Sequence, residues 1–206
     1  MQHLRIGPKF VLFLGTLATG LFVCGLWVMY HQEENRLRML LEEEGKNIQS
    51  QIEITRAYIA KNYVGKIKKS SMGSHLHVSR DHEQDPDAIP FPATATQEIS
   101  KELGGLGVYQ ARLISDQPMN PANAPRDTFE KKAIELIKNG AESVSEIQTI
   151  NGVPTYRRAN ADVASVDACV SCHVGKNPGE VIGLLSLSIP LTHAREAMAS
   201  SLLHSG

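Results

Sequence analysis

One long uncharged segment constrains the chain more than any other feature, because it determines which residues can fold in water. Residues Phe10 to Tyr30 carry no charge, and their number is sufficient for a helix to cross a bilayer. Arg5 and Lys9 precede the segment, whereas Glu33 and Glu34 follow it. The cationic flank predicts a cytoplasmic amino terminus, with all later residues on the outer side of a bacterial cytoplasmic membrane.

A cleaved signal peptide is the alternative interpretation of this segment. The apolar run is longer than the ~7–15 residues of a signal-peptide core, and no clear small-residue cleavage site follows it. Trp27 and Tyr30 also suit the aromatic belt at the outer end of a membrane-spanning helix. We therefore expect an uncleaved, single-pass anchor.

Cys169, Cys172 and His173 form a C-x-x-C-H pattern with four possible interpretations: covalent haem, zinc, a dithiol redox pair or a disulfide. The pattern is the attachment signature of c-type haem. There the two thiols bond to the porphyrin vinyl groups, and the adjacent histidine binds the iron. A closed zinc site prefers four ligands, but the third cysteine of the chain, Cys24, lies in the apolar segment.

The predicted topology favours haem among these interpretations. Covalent haem attachment in bacteria takes place outside the cytoplasmic membrane, which is where the topology places Cys169 and Cys172. A thioredoxin-like dithiol pair is expected near a βαβ pattern, and none is evident in the sequence. The single C-x-x-C-H pattern predicts one haem c, and zinc is the next interpretation.

Charge and motif content argue against several classes of function. The net charge of −1 and the isoelectric point near 6.7 give no electrostatic basis for binding nucleic acid. The sequence has no glycine-rich phosphate loop and no H-E-x-x-H or G-x-S-x-G motif. Because no acid–base or nucleophile constellation is visible, we do not expect an enzyme.

The chain divides into an anchor at residues 1–30, a long juxtamembrane helix at 31–65 and a haem domain at 66–206. No proline interrupts the stretch from His31 to Tyr63, and apolar residues recur there at helical spacing. These residues are Leu37, Leu41, Ile48, Ile52 and Ile59. Two interpretations of this helix are open, and both can hold. The helix packs on its own domain, or it pairs with a second copy in a homodimer.

The remaining pattern predicts an α+β domain. The polar stretch Lys66–Pro92 predicts a long loop. Helices are predicted at 93–105, 128–138 and 192–203, and strands at 106–115, 146–150, 154–162 and 181–190. The predicted fold is therefore an N-terminal transmembrane helix that continues into a long helix, followed by a small antiparallel sheet.

Four segments together resemble the haem-c-binding PAS-like sensor family, first catalogued as a domain of unknown function. They are residues 87–99, 111–137, 155–173 and 181–191, within a resemblance that covers roughly Gln51 to Leu191. The resemblance implies a PAS-like domain outside the membrane that holds one haem c. It also implies that Cys169 and Cys172 form thioether bonds, that His173 is the proximal ligand and that the Arg112 strand lines the pocket.

Members of that family commonly precede histidine kinases, chemoreceptors or cyclases. No second membrane span, kinase or methyl-accepting pattern follows Leu191. We therefore expect a periplasmic electron carrier or an accessory redox subunit, with a redox partner protein or a membrane complex as its partner. A redox or gas sensor that signals through a partner protein is the alternative, and a peroxidase-like enzyme is the third possibility.

The second axial ligand of the iron decides much of the function of a haem. Candidates are His75, His77 and His82 in the long loop, and Met119 in a turn rich in proline and asparagine. The loop is long enough to fold back over the haem. We predict a histidine from this loop, with His82 favoured over His77.

The haem propionates need cationic partners. Arg112 and Arg157 are the predicted ones, since arginine binds carboxylates in a bidentate manner. Arg158 is adjacent to Arg157 on a predicted strand, so only one of these two side chains can face the pocket.

Overall fold

The computed structural model describes residues 6–69, 75–79, 81–118, 120–170, 173 and 175–192. The chain divides into two compact units, Met1–Glu44 and Gly45–Gly206. Met119, Cys172 and most of the predicted helix at 192–203 lie outside the described residues.

The apolar segment forms part of helix α1, which extends from Ile6 to Ile59. This helix is long and apolar enough to cross a membrane, and its apolar window is exposed on all sides. The prediction of a single long N-terminal apolar helix is thereby confirmed, whereas its orientation in a membrane stays a prediction.

The predicted long helix continues beyond Tyr63. After α1, a π-helical turn spans Ala60–Val64, and a short helix α2 extends from Gly65 to Lys69. The N–H of Gly65 donates to the carbonyl of Ala60, five residues earlier. Turns of this kind are rare and are often found near functional sites. Both Ala60 and Val64 are buried.

The predicted loop at 66–92 contains more regular structure than its polar composition indicates. Strands β1 (His77–Ser79) and β2 (Ala88–Pro90) form a two-stranded parallel ribbon. Between them lies a 3₁₀ turn at His82–Gln84. The sequence pattern missed these strands because each has only three residues, too few to show a period-two alternation.

Helix α3 (Pro92–Gly105) begins with proline at its first turn and ends at a Gly–Gly pair, as predicted. The following strand β3 spans Gln110–Ile114 and starts four residues later than predicted. Gly107, with φ of +74°, turns the chain away from the helix first. The buried Ser100 hydroxyl then accepts the N–H of Ala111 and ties α3 to β3.

Strand β3 belongs to a four-stranded antiparallel sheet of order β3-β6-β5-β4, which confirms the predicted α+β class. The other strands are β4 (Ser143–Ile150), β5 (Val153–Val163) and β6 (Val181–Pro190). A two-residue turn at Asn151 and Gly152, both with positive φ, joins β4 to β5.

One face of the sheet packs against helix α4 (Thr128–Lys138), which occupies its predicted position. The side chain of Asp127 caps this helix by accepting the N–H of Glu130 at 2.9 Å. The core on this face consists of buried apolar side chains from α4 and the sheet. They are Ile114, Phe129, Ala133, Ile134, Ile137, Ala159 and Leu184.

The opposite face packs against the last part of α1, from Gly45 onward. Arg158 and Asp162 of β5 bind Gln49 and Arg56 of α1. A Cβ atom at Gly45 would lie 2.9 Å from Cδ of Arg158, so the absence of a side chain permits this close approach. Alternate side chains of β5 therefore point to α1 and to α4.

Candidate functional site

The C-x-x-C-H segment lies in the connection between β5 and β6. Cys169 is in the short helix α5 (Asp167–Val170), and the N–H of His173 donates to the carbonyl of Cys169 at 3.0 Å. The carbonyl of His173 in turn accepts the N–H of Lys176 at 3.1 Å. These bonds hold the imidazole next to the helix that carries the first cysteine.

Cys169 and His173 line the same cavity, which has a volume of about 310 Å³ and which we call the first cavity. A second cavity of about 210 Å³ adjoins it. His173 lines both, so the imidazole lies where the two cavities meet. Six side chains are shared: Arg56, Phe91, Ala93, Asp162, His173 and Ile182.

Arg56 and Asp162 form a bidentate ion pair in this shared wall. The two guanidinium nitrogens of Arg56 lie 2.8 and 3.0 Å from the carboxylate oxygens of Asp162. The side chains are 11% and 8% exposed. Neither residue is among the site residues predicted from the sequence. A signal was present, because Arg56 continues the spacing of the buried Ile48 and Ile52 and thus occupies an apolar face of α1.

The electrostatic environment favours a neutral imidazole at His173. Burial lowers the pKa of His173, and the positive charges of Arg56 and Lys176 lower it further, whereas Asp162 opposes them. The resulting pKa is below its usual value of 6.5. A neutral imidazole has a free lone pair, which is the form that binds a metal.

A third cavity of about 270 Å³ contains Arg112. It shares Thr94, Gln97 and Asn120 with the second cavity, so the two are neighbours along α3. Lys101, Arg112 and Arg126 line it together with one acid, Glu98. Because Arg112 is paired with the buried Glu130, the excess is one cation, which suits a carboxylate-bearing ligand.

The structure places Arg157 apart from all three cavities. Its guanidinium group lies 2.5 Å from Asp127, 3.6 Å from Glu130 and 4.3 Å from the centre of the Phe129 ring. Arg158 points to the other face of β5 and binds Gln49 and Asn160. As predicted, the two adjacent arginines face opposite ways, but neither lines a cavity beside His173.

The predicted distal ligands also lie outside the cavities that His173 lines. Nε2 of His82 is 2.8 Å from Oε1 of Glu98, and Nε2 of His77 is 3.3 Å from Oδ2 of Asp85. His82 is largely buried, and His77 is exposed. Because its partner Glu98 lines the third cavity, His82 lies near the cavities but does not line them.

Comparison with known proteins gives one family and one solved structure. The model of the Tll0287-like family matches residues 34–190, a span that includes Arg56, Asp162, Cys169 and His173. The crystal structure of the cyanobacterial haem protein Tll0287 is 19% identical and aligns with 72% of this chain and 95% of that one, with a TM-score of 0.46. No curated protein matches the chain significantly.

Proposed function

Because the chain belongs to the Tll0287-like family, we propose that it is a membrane-anchored periplasmic cytochrome that carries one haem c and transfers electrons. One observation carries the proposal: Cys169 and His173 of the C-x-x-C-H segment line the same cavity. Tll0287, from which the family takes its name, is described as a haem protein, and this description supports haem binding here.

The donor set in the first cavity fits a covalently bound haem. Cys169 is a free thiol, and His173 is held beside it as a neutral imidazole. Ala57, Phe91 and Ile182 provide apolar wall of the kind that a porphyrin needs. Cys169 and Cys172 form the thioether bonds in this proposal, and His173 is the proximal ligand. The haem supplies a one-electron iron couple, whose potential the axial ligands and surroundings adjust.

Arg112 is the proposed partner of a propionate. It lines the third cavity with Lys101 and Arg126 and is paired with Glu130, so the cavity has one more cation than acid. Arg157 acts indirectly in this arrangement, because it approaches Glu130, and Glu130 holds the guanidinium group of Arg112. The two arginines predicted from sequence therefore have different roles, one at the ligand and one behind it.

His82 remains the proposed distal ligand, with His77 as the second choice. The partner of His82 is Glu98, which lies on α3 directly after Gln97. Gln97 lines the second cavity. If His82 held the iron, its Nε2 atom would give up the contact with Glu98. Glu98 then faces the cations of the third cavity.

The membrane and a redox partner complete the proposal. The charges that flank Phe10–Tyr30 put the amino terminus in the cytoplasm and the C-x-x-C-H segment in the periplasm. The electron donor and acceptor are a soluble redox protein or a membrane complex. The exposed side chains of α1 beyond the apolar segment, such as Met39 and Ile54, are available for a homodimer. Electron transfer needs no catalytic acid or base, so no enzymatic residue is proposed.

Spectroscopy of the protein purified from membranes tests this function. We expect the haem to remain with the protein in acidified organic solvent, and we expect low-spin spectra that carbon monoxide does not change. Extraction of intact haem would overturn covalent attachment. A carbon monoxide complex would instead favour the gas-sensor alternative. One observation supports that alternative: Arg56, which belongs to the long helix α1, lines both cavities.

A further inference from the structure

We propose that Arg56 and Asp162 are a charge-balanced pair that sets the reduction potential of the haem, Arg56 raising it and Asp162 lowering it. This inference rests on the proposed haem site and assigns to it two residues that take no part in covalent attachment or axial ligation.

The position of the pair supports this role. Both residues line the first and the second cavity, and His173 lines both as well. Among the described residues shared by the two cavities, Arg56 and Asp162 are the only ones with a permanent charge. Their side chains are about nine-tenths buried, and charges act over longer distances in a buried setting than in water.

The local structure directs Asp162 to this position. The register of β5 against β6 shifts between Asp162 and Val163, and an irregularity of this kind re-aims the side chains beside it. The residue paired with Asp162 in β6 is Gly183, which has no side chain and lines the second cavity. A Cβ atom at Gly183 would lie 2.9 Å from the carbonyl oxygen of Ile114, so glycine permits the close approach of β3 at this end of the sheet, beside Asp162.

Stability alone does not account for the pair. A buried ion pair contributes little net stability, because removal of two charges from water offsets their attraction. Arg56 also follows Ile48 and Ile52 on one face of α1, where an apolar residue would pack well. An effect of the charges on the ligand of the cavity explains their presence better.

The direction of each effect follows from the charge of the iron. When the haem is oxidised, the iron gives one electron to its partner and gains one unit of positive charge. The guanidinium group of Arg56 disfavours this gain, whereas the carboxylate of Asp162 favours it. In the intact pair the two effects largely cancel, so removal of either charge exposes the effect of the other.

Redox titration of the full-length protein with Arg56→Gln, Asp162→Asn and the double substitution tests the inference. We expect R56Q to lower the potential and D162N to raise it. Each shift should change the ratio of oxidised to reduced haem at a fixed solution potential on the order of tenfold. The reduction potential of the double variant should be close to that of the parent and lower than that of D162N.

A matched pair on the surface provides the control. Lys138 and Asp116 form an ion pair whose side chains are 57% and 41% exposed, and neither lines a cavity beside His173. K138Q and D116N should leave the potential unchanged. The oxidised and reduced spectra of every variant should match the parent, which shows that the axial ligands are retained.

A purely structural role predicts a different outcome. If the pair only closes the cavity, both single substitutions admit water and move the potential in the same direction, and that result would overturn the inference. Thermal unfolding of each variant measures separately how much the substitution destabilises the fold. If R56Q fails to fold, comparison of the double variant with D162N isolates the effect of Arg56, because the double leaves no unpaired charge. A parent protein without haem would refute the proposed function instead.

Discussion

Nη1 of Arg112 donates to both carboxylate oxygens of Glu130, at 2.7 and 2.6 Å. The Glu130 side chain is 2% exposed, and Arg157 approaches it from a second strand of the sheet. A carboxylate of α4 is thus enclosed by guanidinium groups of β3 and β5. This arrangement fixes the position of Arg112 in the third cavity.

Substitution of Glu130 by Gln should destabilise the protein strongly. It leaves two largely buried guanidinium groups without their shared carboxylate, and the loss of one partner in a buried ion pair costs about 3 kcal/mol or more. Glu135 lies on the exposed side of the same helix, so E135Q should change the free energy of unfolding by less than about 0.5 kcal/mol. Urea denaturation measures both, and equal effects would contradict the burial argument.

Asp127 should make the stability depend on acidic pH. Burial opposes its ionisation, but the N–H of Glu130 and the guanidinium group of Arg157 hold the pKa of Asp127 below its usual 3.8. A lowered carboxyl pKa contributes stability above the unfolded value, and this contribution is lost as pH falls through the folded one. D127N keeps a good helix cap and removes the charge. The stability difference between parent and D127N should be present at pH 7, begin to decline as pH falls below about 4, and vanish only when pH is below the folded pKa of Asp127. A pH-independent difference would contradict this assignment.

Cys169→Ala should prevent stable haem attachment, and we expect the same of Cys172→Ala. Each substitution would remove one of the two proposed thioether bonds. Cys24 lies in the exposed apolar segment, so C24A should retain the full haem content. Mass spectrometry of the denatured proteins measures the bound haem directly. Loss of haem in C24A as well would point to a general failure of export.

Replacement of each loop histidine by alanine should identify the distal ligand. We expect H82A to convert a low-spin iron to a five-coordinate or water-bound form, while the thioether bonds stay intact. H75A serves as the matched control, since the His75 side chain is exposed in the same segment, and H77A tests the second choice. If all three variants keep the parent spectrum, the ligand is Met119 or a group from a partner subunit.

An arginine in the middle of the apolar segment should weaken retention in the membrane. Leu21→Arg costs about 2.5–3.5 kcal/mol at the centre of a spanning helix. Met39 is equally exposed on α1 but lies beyond Tyr30, so M39R should have no such effect. Extraction of membranes at alkaline pH measures the retained fraction. Equal retention of both variants would argue that the segment does not span the bilayer.

Elements with a clear period or a clear boundary were predictable from sequence. Helix α4 matches its prediction because Asp127 and Asn139 delimit a strongly amphipathic run. Strand β6 matches its prediction because it is rich in leucine and β-branched residues. The antiparallel class followed from several short strands separated by turns. The domain boundaries inferred from sequence and the PAS-like assignment stay predictions.

The wall of the candidate site was harder to predict, because its residues are distant in sequence. Cys169 and His173 could be identified as candidates from their spacing, which is that of the haem c attachment signature. Arg56 could be noticed as a charge on an apolar face of α1, but it meets Asp162 only after α1 packs on β5. Neither segment alone shows which residues then pair. Arg157 was assigned to the haem because the pattern does not show which face of β5 meets α4.

The Arg56–Asp162 contact joins residues that are 106 positions apart, and β6 follows the C-x-x-C-H segment. Because a chain is made from its amino end, Arg56 is available early, whereas Ile182 and Gly183 are the last parts of the wall to be synthesised. The cavities cannot close before β6 has paired with β5. During that interval Cys169 and His173 are accessible in an open chain. In the proposed cytochrome, thioether formation would therefore precede folding, and the domain would fold around the attached group.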